Sequence, residues 1–216
     1  MHTKHRRSRR RLMRRWLAVG AFLAAAAVLA VGLWWFSPAR QAYRRVAALE
    51  EAQLPEYVTA DYISVAGTAR SGLRLSDFSG VVIHYVGNPG TSAKGNRDYF
   101  DTVGTAVVSH FVVGLEGEVI QCLPLWERSV ASNQRNRDTI SIEVCHPDDS
   151  GQFNESTYRS LVRLTAWLCH VGGLTSEQVI RHYDVTGKEC PRYYVRNEGA
   201  WRQLRRDVDT ACRSLG

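Results

Sequence analysis

The chain has 216 residues and a formal net charge of +7, with 28 Lys and Arg against 21 Asp and Glu. This length accommodates one sizeable domain with an appendage. Residues 1–15 contain eight of the basic residues and no acid, which leaves 20 basic and 21 acidic residues in the rest of the chain. Since the rest is close to neutral, its charge gives no reason to expect a nucleic-acid partner.

The N-terminal segment has the composition of a membrane-spanning helix. Residues 16–36 are 21 uncharged, almost wholly apolar residues, and a helix of that length spans about 30 Å, enough for a bilayer core. The basic tail 1–15 predicts a cytoplasmic N-terminus. A secretory signal peptide is the alternative, because small residues at 37–39 suit cleavage, although its apolar core usually has only about 7 to 15 residues. We expect a single-pass cell-membrane protein whose remaining chain lies outside the cytoplasm.

The rest of the chain divides into a spacer and a domain. Residues 37–56 are rich in helix formers of mixed charge, which predicts a short helical stalk. Residues 57–216 form the predicted single domain, and its first part, up to residue 79, has no periodic pattern.

Hydrophobic periodicity predicts the elements of this domain. Asn154 is a suitable N-cap for one helix, and Gly172 and Gly173 end it. In chain order we predict a strand at 80–86, a helix at 96–103, strands at 107–113, 118–123 and 139–145, and helices at 154–171 and 198–213. The second and third strands are separated by a short glycine-containing turn, which indicates a hairpin. This order predicts an α/β fold with a mixed central β-sheet flanked by helices.

One short loop, residues 181–191, contains an imidazole, an ammonium and a thiol. His182 and Cys190 are eight residues apart and can reach one Zn²⁺ if the chain between them turns. A catalytic zinc keeps three protein ligands and one open position, so a third ligand is needed. His84, on an apolar β-branched strand, is the candidate. The alternative for His84 is a hydrogen-bonded core histidine.

Glu143 is the candidate proton carrier. It alternates with Ile142 and Val144 on the strand at 139–145, so a period of two directs it away from the isoleucines. A carboxylate there could take a proton from an attacking water and deliver one to a leaving amine. The alternative is a surface or salt-bridged acid.

Four segments together carry a family resemblance: residues 82–85 with 87–93, 109–114, 140–145 and 182–190. In this order they resemble the zinc-dependent N-acetylmuramoyl-L-alanine amidases of the phage-lysozyme and peptidoglycan-recognition-protein type. The resemblance extends over residues 57–212. One such segment would be a weak signal, whereas four in the family's order are a strong one.

The resemblance implies an α/β peptidoglycan hydrolase that cleaves the amide bond between N-acetylmuramic acid and L-alanine of the stem peptide. It implies that His84, His182 and Cys190 bind Zn²⁺ and that Glu143 moves protons. Lys188 is then expected to stabilise the developing oxyanion, although an isolated lysine is more often a solvated loop charge. Peptidoglycan is the expected partner, and oligomeric state cannot be read from this pattern.

Some positions depart from the family. Ser109 stands where some members have a catalytic tyrosine, so oxyanion stabilisation rests more heavily on Lys188 and the metal. His110 is expected near the cleft but not as a metal ligand. Asn133 stands where relatives often have a histidine after tryptophan. We treat Asn88, His110 and Asn133 as candidate substrate-binding residues.

A noncatalytic peptidoglycan-binding receptor of the same fold is the alternative function. Nonhydrolytic relatives usually lack the cysteine ligand, and this chain retains Cys190. The other four cysteines, Cys122, Cys145, Cys169 and Cys212, allow three disulfide pairings in an extracytoplasmic domain, or they are buried free thiols. Both possibilities stay open at this point.

Overall fold

The computed structural model describes residues 2–215, except for the side chains of residues 2–12, 14 and 18. It divides into two compact units, one ending at Gln41 and one beginning at Ala42. The first unit holds helix α1 (His2–Trp35) and the start of helix α2 (Pro38–Glu51). Within α1, Arg15–Trp35 is long and apolar enough to cross a membrane, with a mean hydropathy of 2.3, and a signal sequence would meet the same criteria. Most side chains of the predicted cytoplasmic tail, 1–15, lie outside the described residues.

A six-stranded sheet organises the second unit. Its strands are β1 (Val58–Ala60), β2 (Gly80–Ile83), β3 (Phe111–Val113), β4 (Val119–Gln121), β5 (Thr139–Val144) and β6 (Val179–Arg181). Their order across the sheet is β1-β4-β3-β5-β2-β6. Strands β3 and β4 pair antiparallel, whereas all other neighbours pair parallel. The predicted mixed sheet and its hairpin are therefore confirmed.

The remaining helices pack around this sheet. They are α3 (Ala93–Phe100), α4 (Glu155–Gly172), α5 (His182–Thr186), α6 (Arg192–Arg196) and α7 (Glu198–Arg213), with short 3₁₀ helices at Asn133–Arg137 and Ser176–Gln178. Helix α3 begins three residues before its predicted start, because Ser92 caps it by accepting from the Gly95 amide. Strands β1 and β6 and helices α5 and α6 were not predicted, since segments of three to five residues contain too little periodicity to detect.

Helices α4 and α7 cover one face of the sheet. Asn154 caps α4 by accepting from the Thr157 amide, as predicted, and Gly173 ends it in the left-handed conformation with φ 61°. The helices contribute buried side chains such as Leu164 and Leu204, which share a core with Ile142 of β5. Burial of such side chains stabilises the fold by about 1.5–3 kcal/mol each.

The part of α2 that belongs to the second unit packs on the domain. Val46 and Leu49 are only 2% exposed and join the main core. Arg45 pairs in a bidentate manner with Asp77, with both nitrogen–oxygen distances at 2.8 Å. The boundaries predicted for the stalk at 37–56 and the domain at 57–216 stay predictions.

All five cysteines are free thiols in this structure, and four of them are buried. Burial raises the pKa of the Cys122, Cys145 and Cys169 thiols to about 12 each. Such thiols pack as small hydrophobic side chains.

The candidate site lies at one edge of the sheet. Strands β5, β2 and β6 are parallel neighbours, so their carboxyl ends meet there. His84 follows β2 directly, His182 follows β6, and Glu143 lies near the end of β5. The carboxyl edge of an open α/β sheet is where ligands generally bind.

Candidate metal centre

Three residues that are distant in sequence converge at this edge. The candidate ligand atoms of His84, His182 and Cys190 all lie within 4.8 Å of one another, and all three residues are buried. His84 Nδ1 is 3.9 Å from Cys190 Sγ, and the two imidazole centroids are 4.6 Å apart. The structure thus brings together the three ligands predicted from the sequence.

A turn after α5 brings Cys190 back toward His182. Gly187 ends the helix with φ 78°, a left-handed conformation that glycine adopts without strain. The Tyr183 amide then donates to the Cys190 carbonyl at 2.9 Å, which closes the loop. Asp184 accepts from the Arg181 amide at 2.8 Å and pairs with its guanidinium, so it caps the start of α5 locally.

The geometry of the three side chains fits a metal ion. Metal–nitrogen distances of about 2.0–2.1 Å and a metal–sulfur distance of about 2.3 Å place the ligand atoms of a tetrahedral site about 3.4–3.6 Å apart. The observed 3.9 Å between His84 Nδ1 and Cys190 Sγ needs only a small adjustment. Glu143 faces the same space: its Oε1 is 4.0 Å from His84 Nδ1, and its Oε2 is buried without a hydrogen-bond partner.

The charges of the site also agree with metal binding. Burial lowers the pKa of His84 well below its usual range, and His182 and Lys188 act in the same direction. Burial and then Lys188 lower the pKa of His182, so the environment of both imidazoles favours the neutral form that metal binding requires. Burial raises the pKa of Cys190 to about 12, with the Glu143 charge adding to it. A bound cation would counteract this effect and ionise the thiol.

Glu143 has an unusually high pKa for a carboxyl group. Burial raises its pKa to about 8, and only the positive charge of Lys188 opposes that shift. Its side chain is 18% exposed, and that exposed part lines the cavities beside it. Perturbed carboxyl groups of this kind cluster at catalytic sites.

A cavity of about 450 Å³ opens over the cluster. The three candidate ligands, Glu143 and Lys188 line it together, and Phe100 and Val107 contribute apolar lining. A second cavity of about 430 Å³ shares Glu143, Phe100 and Val107 with the first. A volume of this size suits a small-molecule segment with one polar end and one apolar end.

Two of the three candidate substrate-binding residues line a cavity, and the third does not. Asn133 lines the first cavity and Asn88 the second. His110 lines neither of these cavities. It is fully buried, with Nε2 2.7 Å from the Glu127 carbonyl and Nδ1 accepting from the Ser141 amide at 3.1 Å.

Two further contacts involve the candidate ligands. His84 Nε2 lies 3.0 Å from Ser132 Oγ, and His182 Nε2 lies 3.0 Å from Asn133 Oδ1. Sequence reasoning did not identify Ser132 and assigned Asn133 to substrate. Ser132 is the N-cap of a short 3₁₀ helix and Asn133 is its first residue, so no periodic signal indicated which way their side chains point.

The comparison with protein families agrees with this geometry. Residues 74–193, more than half of the chain, match the family described as N-acetylmuramoyl-L-alanine amidase. The chain belongs to this family.

Relatives in two Bacillus species are similar to this chain. The probable N-acetylmuramoyl-L-alanine amidase of Bacillus licheniformis is 32% identical over 168 residues, which covers 69% of this chain and 46% of the relative. The N-acetylmuramoyl-L-alanine amidase BlyA of Bacillus subtilis is 32% identical over 160 residues, covering 64% and 43%. The chain therefore spans slightly less than half the length of these relatives.

Solved structures share the fold. A mutant endolysin from Bacillus subtilis has a TM-score of 0.62 at 24% identity, covering 70% of this chain and 97% of the endolysin. PlyL has a TM-score of 0.63 at 22% identity, covering 71% and 98%. At these identities the likeness supports the fold of the domain.

Proposed function

We propose that this protein is a zinc-dependent N-acetylmuramoyl-L-alanine amidase. It would hydrolyse the amide bond between the lactyl group of N-acetylmuramic acid and the L-alanine of the stem peptide in peptidoglycan. The observation that carries the proposal is the convergence of two imidazoles and a thiol beside a buried, unpartnered carboxyl oxygen. Family membership supplies the reaction class.

Zinc is the metal that this donor set suits best. Two neutral imidazoles and one thiolate are typical zinc ligands, and three protein ligands leave one position open, as in catalytic sites. His84, His182 and Cys190 would hold the ion. When bound, zinc supplies Lewis acidity that polarises a carbonyl group and lowers the pKa of a water molecule to about 7.

Glu143 is the proposed general base and acid. It would accept the proton of the attacking water and then donate a proton to the nitrogen of the leaving L-alanine. Its buried Oε2 has no other partner, and its raised pKa, about 8, suits a group that gains and loses a proton near neutral pH. Its position on β5 keeps the carboxyl group beside the proposed metal ligands.

Lys188 is the proposed oxyanion stabiliser. It lines the same cavity, and its charge lowers the pKa values of His84, His182 and Glu143, so its field reaches the reacting centre. A positive charge that faces the developing oxyanion stabilises it, and removal of one oxyanion-stabilising donor typically costs about 3–4 kcal/mol. Ser109 lines the cavity, but its hydroxyl donates to the Phe111 carbonyl at 2.8 Å. Lys188 and the metal then carry this role.

The proposed substrate contacts follow from the cavity walls. Asn88 in the second cavity offers an amide for hydrogen bonding with the glycan or peptide. The buried His110 would act on substrate only indirectly, by fixing β5 through Ser141.

The proposed location is the outer face of a cell membrane. The segment 16–36 would anchor the chain, with peptidoglycan as the substrate available to the domain. A cleaved signal sequence would also deliver the domain to that side. Mass spectrometry of the protein recovered from membranes separates the two, since an anchor requires residues 16–36 to be present.

The test of function is digestion of purified peptidoglycan by the full chain in detergent. We expect release of stem peptides that begin with a free L-alanine amine, loss of that release with a chelator, and recovery with Zn²⁺. A protein that binds zinc and peptidoglycan but releases no stem peptide would instead be the noncatalytic receptor.

A further inference from the structure

Ser132 and Asn133 are consecutive residues, yet each contacts a different metal-site histidine. Ser132 Oγ lies 3.0 Å from Nε2 of His84, and Asn133 Oδ1 lies 3.0 Å from Nε2 of His182. Ser132 is fully buried, whereas Asn133 lies at the cavity wall. The two contacts are equivalent because both use the same ring atom, Nε2.

The contact with Asn133 determines where the proton of His182 lies, and the contact with Ser132, whose hydroxyl can donate or accept, is compatible with the same tautomer in His84. Asn133 Oδ1 can only accept, so His182 Nε2 must carry the proton and the lone pair is on Nδ1. With Ser132 Oγ accepting in the same way, the lone pair of His84 is on Nδ1, the atom that faces Cys190 Sγ at 3.9 Å. Both rings are thereby set to bind a metal through Nδ1.

The backbone of this segment is held in a strained form. Asn133 has φ 53° and is the one non-glycine residue with positive φ in the part of the chain that the structure describes. This conformation costs about 1–2 kcal/mol. Asn136 offsets part of that cost, because its Oδ1 accepts from the amides of Ala131 and Ser132 at 3.0 and 2.6 Å. The left-handed residue is what lets two successive side chains reach neighbouring imidazoles.

We propose that Ser132 and Asn133 are positioning residues that fix the tautomer and ring orientation of His84 and His182 for zinc. This proposal rests on the zinc site of the proposed function. It replaces the substrate contact expected for Asn133 with a role in metal binding. Partners of this kind typically change metal affinity by about 10- to 100-fold when removed.

The experiment measures metal binding directly, on the full chain in detergent after removal of bound metal. Asn133→Gly removes the side chain while tolerating the positive φ, Asn133→Asp keeps an accepting oxygen, and Ser132→Ala removes the hydroxyl. We expect zinc affinity, measured by competition with a chromophoric chelator, to fall about 10- to 100-fold in Asn133→Gly and Ser132→Ala. Asn133→Asp should restore it to near that of the unaltered chain.

Cobalt substitution supplies a spectroscopic readout that a merely structural role would not move. The visible absorption bands of Co²⁺ should shift in Asn133→Gly and Ser132→Ala and stay in place in Asn133→Asp, because they report ligand orientation. Thermal unfolding of the metal-free Asn133→Gly chain should match the unaltered chain, which separates positioning from folding.

The possible outcomes are distinct. Unchanged zinc affinity and unchanged cobalt bands in both loss variants would overturn the proposal. A raised KM at unchanged zinc affinity in Asn133→Gly would assign Asn133 to substrate instead. If the unaltered chain binds zinc but lacks amidase activity, the proposed function fails while the affinity series still decides the positioning role. If it binds no zinc, both proposals fail.

Discussion

Oε1 of Glu143 lies 4.0 Å from Nδ1 of His84, while the other oxygen of the same carboxyl group is buried without a partner. Among the residues that the structure describes, no donor hydrogen-bonds to this carboxyl group, and burial raises its pKa to about 8 against the opposing charge of Lys188. Leaving a buried polar atom unsatisfied costs about 1–3 kcal/mol. Native proteins keep such an unpaired group mainly at functional sites, where this oxygen would interact with substrate and water.

Glu143→Gln should therefore separate catalysis from metal binding. The amide has nearly the same shape but cannot accept and return a proton, so we expect stem-peptide release to fall by about 10²–10⁴-fold. Zinc content should remain one ion per chain, because the three proposed ligands are intact. Release at the unaltered rate would show that another group moves the proton.

Cys190→Ser tests the proposed metal centre from the ligand side. A serine hydroxyl binds zinc much more weakly than a thiolate, so we expect loss of both zinc and activity. Cys169→Ser is the matched control, because Cys169 is also buried but lies on α4 outside the cluster. Zinc analysis of both purified variants gives the answer, and equal zinc content would contradict the assignment of Cys190.

Lys188→Met should lower the rate without removing the metal. The methionine keeps much of the apolar stem and deletes the charge, and we expect kcat to fall by about 10²–10³-fold with zinc content unchanged. Lys94→Met is the control, since Lys94 is exposed on α3 and pairs with Asp98. A change confined to KM would mean that Lys188 binds substrate in its ground state.

Much of this site can be predicted from the sequence, because several of its reactive side chains lie close together in one short loop. The loop with His182, Lys188 and Cys190 and the apolar strand that contains His84 in the prediction identified the proposed ligands from the sequence alone. The apolar and alternating runs of the strands and the helical spacing of α4 likewise predicted the sheet and its helical cover. Ser132 could not be found in this way, because its role depends on one left-handed backbone angle at its neighbour Asn133.

The short elements illustrate the same limit. Strands β1 and β6 each have three residues and exist because they pair in parallel with β4 and β2. Such pairing is a property of the assembled sheet, and three residues carry no readable alternation. The position of His182 depends on β6, so the sequence predicted that His182 and His84 share a metal site but did not predict the strand pairing that brings them together.

An ion pair between the buried Glu127 and the partly buried Arg70 offers a prediction about stability. Glu127 is 1% exposed, pairs with Arg70 at 2.9 Å and also accepts from the Gly72 amide. Glu127→Gln leaves the Arg70 charge without its partner, and we expect the free energy of unfolding to fall by about 3–5 kcal/mol. Glu155→Gln, in the exposed pair with Arg159, should change it by less than about 1 kcal/mol. Denaturant titration of both variants measures this difference, and equal losses would contradict it.

His110 should make the domain sensitive to acid. Burial lowers its pKa from 6.5 to about 4, and its contact with the Glu127 carbonyl only partly opposes this shift. Between these two values the unfolded chain binds a proton that the folded chain does not, so stability present above about pH 6.5 is lost as the pH falls toward 4. A shift of this size corresponds to about 3 kcal/mol at pH 4.

His110→Gln removes this titration while keeping an amide that can donate to the carbonyl. We therefore expect the metal-free variant to lose about 2–3 kcal/mol less unfolding free energy than the metal-free unaltered chain when the pH is lowered from 7 to 4. Denaturant titrations at both pH values measure the difference. His170→Gln alters an exposed histidine on α4 and is the matched control, which should follow the unaltered chain. Parallel acid losses in His110→Gln and the unaltered chain would show that His110 does not govern this response.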